Sequence, residues 1–291
     1  MNKRTRSFLY SLILGACAFG AAAGEAARGA VTAREVVSRI AASLDHWNAN
    51  DKVDIFKTGD PDQPVTGIVV TMFPSMTVLK QAVARKANFL IVHEPTFYDH
   101  LENTRRLKGN PVLEAKQAFI EKHGLVIWRF HNHMHRPQSD MIDAGVLDAL
   151  GWADKVDSKA KNIVTLPERS LRELASELMQ RLKASTLRVV GPPDMTLTRV
   201  GLCLGGRGFD TQQKMLRRDD VDVILVGEAV EWQLAELVRD ANEFEMKKAV
   251  IWIGHNASEE AGMKHCAQWI KELVPEADIT FVPSNEPFWA P

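Results

Sequence analysis

The run Phe89-Leu90-Ile91-Val92 stops abruptly at His93-Glu94-Pro95. A short apolar run with turn signals close on either side is the pattern of a strand buried on both faces. Pro95 has no N–H to give to a sheet ladder, so regular pairing has to end there. A strand covered on both faces belongs to an α/β sheet with helices above and below. In such sheets ligands bind outside the carboxyl ends of the strands, which is where this run delivers His93 and Glu94. Taken alone, the pair reads equally well as a strand cap beside a solvated carboxylate.

The rest of the chain repeats the theme. A helical spacing of Val36, Val37, Ile40, Ala41 and Leu44 is followed by a strand at 67–72, a helix at 76–85 and the 89–92 strand, which together make a βαβ unit. Asn110-Pro111 opens a helix to about 123, asparagine capping and proline filling the first turn. A strand at 125–130, a helix at 141–150 and a strand at 163–166 follow. Ser170 and Glu173 have capping-box spacing and start a helix to about 183. Further strands are expected at 187–190, 200–204, 221–226, 249–253 and 278–282, with helices at 230–242 and 258–273. Alternation of this kind predicts an α/β fold with mixed, largely parallel sheets. We read it as two-lobed: an N-terminal lobe over 31–158, a C-terminal lobe over 159–291, and a site between them.

Lys and Arg number 36 against 37 Asp and Glu. No basic excess is available to neutralise phosphates, so nucleic acid is not an expected partner. The N-terminus differs from the rest: Lys3, Arg4 and Arg6 precede an apolar stretch over 8–23 that ends in Ala21-Ala22-Ala23, the layout of a secretory signal peptide over about 1–30. Leu14-Gly15-Ala16-Cys17 also resembles a bacterial lipobox, with Cys17 as the lipidated residue. The expectation is export, to the periplasm or to a membrane through a lipid anchor. Cys203 and Cys266 are the other two cysteines, suited to quiet core positions or, in an oxidising compartment, to a disulfide.

Polar groups gather after several strands: His93 and Glu94, then His131, His133 and His135, then Gly205-Gly206-Arg207-Gly208, then Glu228, then His255. His255 and Glu259 are four apart at a helix start, which puts imidazole and carboxylate on one face and suits zinc, iron, manganese or cobalt. In an extended chain His131, His133 and His135 would point the same way, either as a three-histidine grip or as one ligand with two solvated neighbours. The glycine-rich segment reads as a tight turn.

Three blocks resemble the NIF-three-like dinuclear metal-centre hexameric proteins, some of them described as GTP cyclohydrolase type-two-like. They are the strand running into His93-Glu94-Pro95-Thr96-Phe97, the His131 to His135 segment ahead of Gly145 to Gly151, and Gly227-Glu228 through Glu231 together with Gly254-His255 to Glu259. The resemblance implies two divalent metal ions (Zn, Fe, Mn or Co) held at His93, Glu94, His135, His255 and Glu259, in a ring-shaped homo-hexamer. Two positions depart from the family pattern: Glu94 stands where a histidine is expected, and His135 where an aspartate is expected. The set still holds three histidines and two carboxylates. The function so implied is a metal-dependent hydrolase of a small molecule, with Glu228 and His131 as catalytic orienters or proton carriers. The alternative is a non-catalytic metal-binding or scaffold protein of the cell envelope.

Overall fold

The computed structural model describes residues 31–135 and 140–291. The expected signal peptide and the lipobox at Cys17 lie outside the described residues. The chain runs α1 (Ala33–Ala42), β1 (Phe56–Thr58), β2 (Ile68–Thr71), α2 (Met76–Ala84), β3 (Phe89–Val92), α3 (Pro111–Lys122), β4 (Val126–Arg129), α4 (Met141–Leu150), β5 (Val156–Asp157), β6 (Ala160–Ser170), α5 (Leu171–Leu182), β7 (Arg188–Val190), β8 (Thr196–Cys203), α6 (Phe209–Leu216), β9 (Val223–Val226), α7 (Glu231–Glu243), β10 (Ala249–Trp252), α8 (His255–Leu273) and β11 (Ile279–Phe281).

These strands form two mixed sheets. The first has the order β1-β4-β3-β2-β11, with β4, β3, β2 and β11 parallel and β1 antiparallel at the edge. The second has the order β5-β6-β8-β9-β10-β7, with β8, β9 and β10 parallel and the flanking strands antiparallel. The last strand, β11, pairs with β2 and so completes the first sheet.

The parallel strands β2, β3, β4, β9 and β10 are buried on both faces because helices cover both. In the first sheet Val69, Leu90, Val92 and Ile127 pack on α2 and α3, while Ile68, Val70, Phe89, Ile91, Val126 and Trp128 face α1 and α8. In the second, Val200, Leu202, Val223, Leu225 and Ile251 pack on α4 and α5, while Cys203, Ile224, Val226 and Val250 face α6 and α7. Each fully buried aliphatic side chain contributes about 1.5–3 kcal/mol.

Helices α4 and α8 lie between the sheets and join the cores. Ile142 of α4 packs in the first core and Val146 in the second; Met263 of α8 packs in the first and Ala257 in the second. The two helices touch backbone to backbone. A Cβ on Gly145 would fall 2.6 Å from Gly262 Cα, and one on Gly262 would fall 2.5 Å from Ile142 Cα, so only glycine allows this approach.

Some boundaries differ from the expectation, for identifiable reasons. Strand β6 is longer than the apolar run at 163–166 because it passes through Pro167, where the pairing with β8 shifts register between Thr165 and Arg169. Helix α8 starts at His255 rather than 258, with Gly254 at φ +95° as its cap. Strand β1, strand β5 and helix α6, all short, were not expected from the sequence.

Candidate metal centre

The site is built where β3, β4, β9 and β10 end. Strand β3 hands its chain to His93, which is fully buried, and Glu94, which is 6% exposed. Arg129, at the end of β4 and fully buried, grips this corner: its Nε donates to the His93 carbonyl (2.8 Å), its Nη1 to the His100 carbonyl (2.6 Å), and its Nη2 lies 3.4 Å from Glu94 Oε2. His131 and His135 follow β4. Glu228 follows β9. His255 opens α8, and Glu259 sits one turn on, with its Oε2 3.2 Å from His255 Nε2.

All seven residues singled out from the sequence, His93, Glu94, His131, His135, Glu228, His255 and Glu259, come together here. His93 Nε2 is 3.0 Å from His135 Nε2 and 3.5 Å from Glu259 Oε2. Glu94 Oε1 is 3.3 Å from His255 Nε2 and 3.5 Å from His131 Nε2. His135 Nε2 is 4.0 Å from Glu259 Oε1.

The other ring nitrogens face outward to acceptors. His93 Nδ1 donates to the Phe130 carbonyl (3.0 Å), His135 Nδ1 to Asp140 Oδ2 (3.0 Å) and His255 Nδ1 to Glu228 Oε1 (2.9 Å). A carbonyl or an ionised carboxylate can only accept, so a proton is fixed on each Nδ1 and each Nε2 is turned inward, free to offer its lone pair once that ring is neutral. Asp140 does two jobs: Oδ1 caps α4 by accepting from Asp143 N, and Oδ2 receives His135 and also Arg207 Nη2 at 3.0 Å.

His133 corrects the expectation of three histidines aligned along an extended chain. The segment turns over 132–134, and His133 points away from the site. Its Nδ1 donates to buried Asp54 Oδ2 (2.6 Å), its Nε2 accepts from Asn48 N (2.9 Å), and its ring stacks on Trp47. Both nitrogens are used, which makes it a structural histidine. The group that does converge is His93, His131 and His135, and beside it His93, Glu94 and Glu259; in each the donor atoms lie within 4.8 Å of one another.

The charges in this site are strongly perturbed. Burial pushes the His93 imidazole well below its ordinary value, reinforced by His131 and His135. Burial alone would favour neutral Glu94, but the His131 and His255 imidazoles beside it hold its carboxyl far below the usual range. Burial also opposes charge on His255, yet Glu228, Glu259 and Glu94 together push it up to about 12. Asp143, buried beside Asp140, is raised to about 6.

The donor chemistry fits divalent metal ions. Imidazole nitrogens and carboxylate oxygens aim inward, each imidazole is anchored from behind, and Glu259 Oε2 is buried without a hydrogen-bond partner. A buried carboxylate oxygen left unpaired is costly, and a cation satisfies it. The glycine turn belongs to the same site: Gly205 has φ +63°, and a Cβ there would fall 1.9 Å from Glu259 Oε1. Arg129 carried no sequence signal, because it meets His93, Glu94 and His100 only through the fold.

The fold is that of a mixed α/β protein, with a buried cluster of histidines and carboxylates at its strand ends that could hold a metal ion. The sequence profile of Duf34/NIF3 (NGG1p interacting factor 3) matches residues 31–287, and the chain belongs to that family. It is similar to the "GTP cyclohydrolase 1 type 2 homolog" of Clostridium acetobutylicum, 25% identical over 213 residues (69% of this chain, 75% of the relative). It is also similar to the protein of the same description from Streptomyces coelicolor, 26% identical over 227 residues (71% and 73%). Among solved structures, the Bacillus cereus protein related to NIF3 superposes with a TM-score of 0.69 at 14% identity, covering 89% of this chain and 99% of its own, which establishes a shared fold.

Proposed function

We propose that this chain is an exported metal-dependent hydrolase that holds two divalent ions and acts on a small molecule, a phosphoester or a cyclic amide. The observation that carries the reading is the set of inward-facing Nε2 atoms around Glu94 and the buried Glu259 Oε2, which has no hydrogen-bond partner. The curated relatives, described as cyclohydrolase homologs, support the same reaction class. His93, Glu94, His135, His255 and Glu259 would hold the ions. Bound there, the ions would supply Lewis acidity and a water of lowered pKa.

The chain's own groups do the rest. Glu228 fixes the His255 ring, and its side chain, 64% exposed, is the carboxylate open to exchange protons with solvent. Arg207 and Asp140 hold His135. A ring-shaped hexamer and a periplasmic or lipid-anchored location complete the proposal; they rest on the family resemblance and on the basic-apolar-small pattern at the N-terminus.

The test is a panel of phosphoesters and cyclic amides offered to metal-stripped and metal-loaded protein. Turnover that appears only with metal, and falls about 10–100-fold in Glu228→Gln, is expected, since loss of an outer-shell partner has that cost. Metal bound without any metal-dependent turnover would favour the scaffold reading instead.

A further inference from the structure

We propose that His131 is itself a metal ligand, so that the cluster divides into a nitrogen-only half (His93, His131, His135) and a carboxylate-rich half (Glu94, His255, Glu259). This rests on the metal-binding reading above and says which donors share an ion.

The geometry of His131 carries it. Its Nδ1 lies 3.1 Å from Asn132 Oδ1, while Asn132 Nδ2 donates to Asp51 Oδ2 at 2.8 Å. A carboxylate accepts only, so the amide is oriented with its oxygen toward the histidine, and the imidazole proton must sit on Nδ1. The Nε2 of His131 therefore faces the cluster, as do those of His93, His135 and His255. Every imidazole of the cluster is thus anchored through Nδ1 from outside and open at Nε2 within. His133, two residues along, is the contrast: both its nitrogens are taken by protein.

His131 is also held rigidly. Asp54 Oδ1 accepts from the backbone N–H groups of His131 (2.8 Å) and Asn132 (2.9 Å), and the ring stacks on His93 with centroids 4.5 Å apart. As a proton carrier it is poorly placed. Its proton is on the far nitrogen, and Nε2 is 3.5 Å from Glu94 Oε1, beyond ordinary hydrogen-bond reach. As a ligand it needs no rearrangement of donor type. One Nε2 lone pair serves one ion, so His93, which neighbours both groups, belongs with the two imidazoles when its Nε2 turns toward His135. With histidine at 135, that half presents three imidazoles and no carboxylate. Such a set suits zinc, copper, nickel or cobalt better than manganese or magnesium.

The experiment titrates copper(II) and cobalt(II) into metal-stripped protein. The wild type is expected to take two equivalents, one of them giving a copper EPR signal with superhyperfine splitting from three nitrogens. His131→Gln is expected to weaken one equivalent by more than about 100-fold, beyond the 10–100-fold cost of losing an outer partner, and to leave the other in place. His131→Cys is expected to gain a sulfur-to-cobalt charge-transfer band, which reports coordination at position 131 even if the glutamine variant folds poorly. A cysteine variant that binds cobalt without that band would overturn the assignment of His131 and leave the metal site standing. A wild-type protein that binds no metal would overturn the metal-binding reading itself.

Discussion

His93 Nε2 and His135 Nε2 lie 3.0 Å apart, and both rings have their other nitrogen committed as a donor, to the Phe130 carbonyl and to Asp140. Two nitrogen lone pairs at that distance repel unless a cation or a proton lies between them. Without metal, a proton must fill the role, and Asp140 raises the proton affinity of His135 against the effect of burial. With metal, the lone pairs become ligands.

Metal should therefore stabilise the folded protein. At a free concentration 100 times the dissociation constant, each ion adds about 2.7 kcal/mol, which for a chain of this size raises Tm by about 5–10 °C. Thermal melts with and without chelator should show that difference in the wild type. His255→Ala should lose much of it.

Gly205→Ala should disable the site without replacing a ligand. The new methyl group would overlap Glu259 Oε1, and alanine is strained at φ +63°. Metal content should fall sharply while circular dichroism stays native. Gly208→Ala, where a Cβ meets nothing within 4 Å but φ is also positive, separates the overlap from the backbone strain: it should keep its metal.

The parts of this fold that were legible in the sequence are those written in local pattern. The β3 run reports its own burial, and His255 and Glu259 report their common face through helical spacing. What stayed hidden depends on partners distant in the chain. Nothing near His133 marks it as structural: Asp54 and Asn48, which take both its nitrogens, lie far back in the chain, whereas His135 is met by Asp140 close by. Arg129 reads as one polar residue in an apolar strand, although it clamps the corner that carries His93 and Glu94. The glycine turn reads as a turn, and only the packed structure reveals that Glu259 occupies the space a side chain would need.

Lys116 should make stability depend on pH. It is 3% exposed, its Nζ donates to the Thr96 carbonyl at 2.6 Å, and burial lowers its pKa from 10.5 to about 8. The unfolded chain binds this proton more tightly, so the cost of burying the charge is fully present below about pH 8 and disappears as pH rises toward 10.5. A shift of this size corresponds to about 3 kcal/mol. Urea melts from pH 7 to 10 should show the wild type gaining stability relative to Lys116→Met.

Cys203 and Cys266 should be chemically silent. Both are free and buried in different cores, and burial pushes the Cys203 thiol up to about 12 and the Cys266 thiol higher. The thiolate is the reactive form. Peptide mapping after iodoacetamide treatment should find both unmodified in native protein and both modified after denaturation, with no disulfide between them.

The most direct test is the metal content of purified protein, measured by elemental analysis after reloading and removal of excess ion, beside Glu94→Ala and His255→Ala. Two equivalents per chain in the wild type, with loss in both variants, is the result expected of a dinuclear centre. A wild-type chain that stays folded and retains no metal after reloading would contradict it.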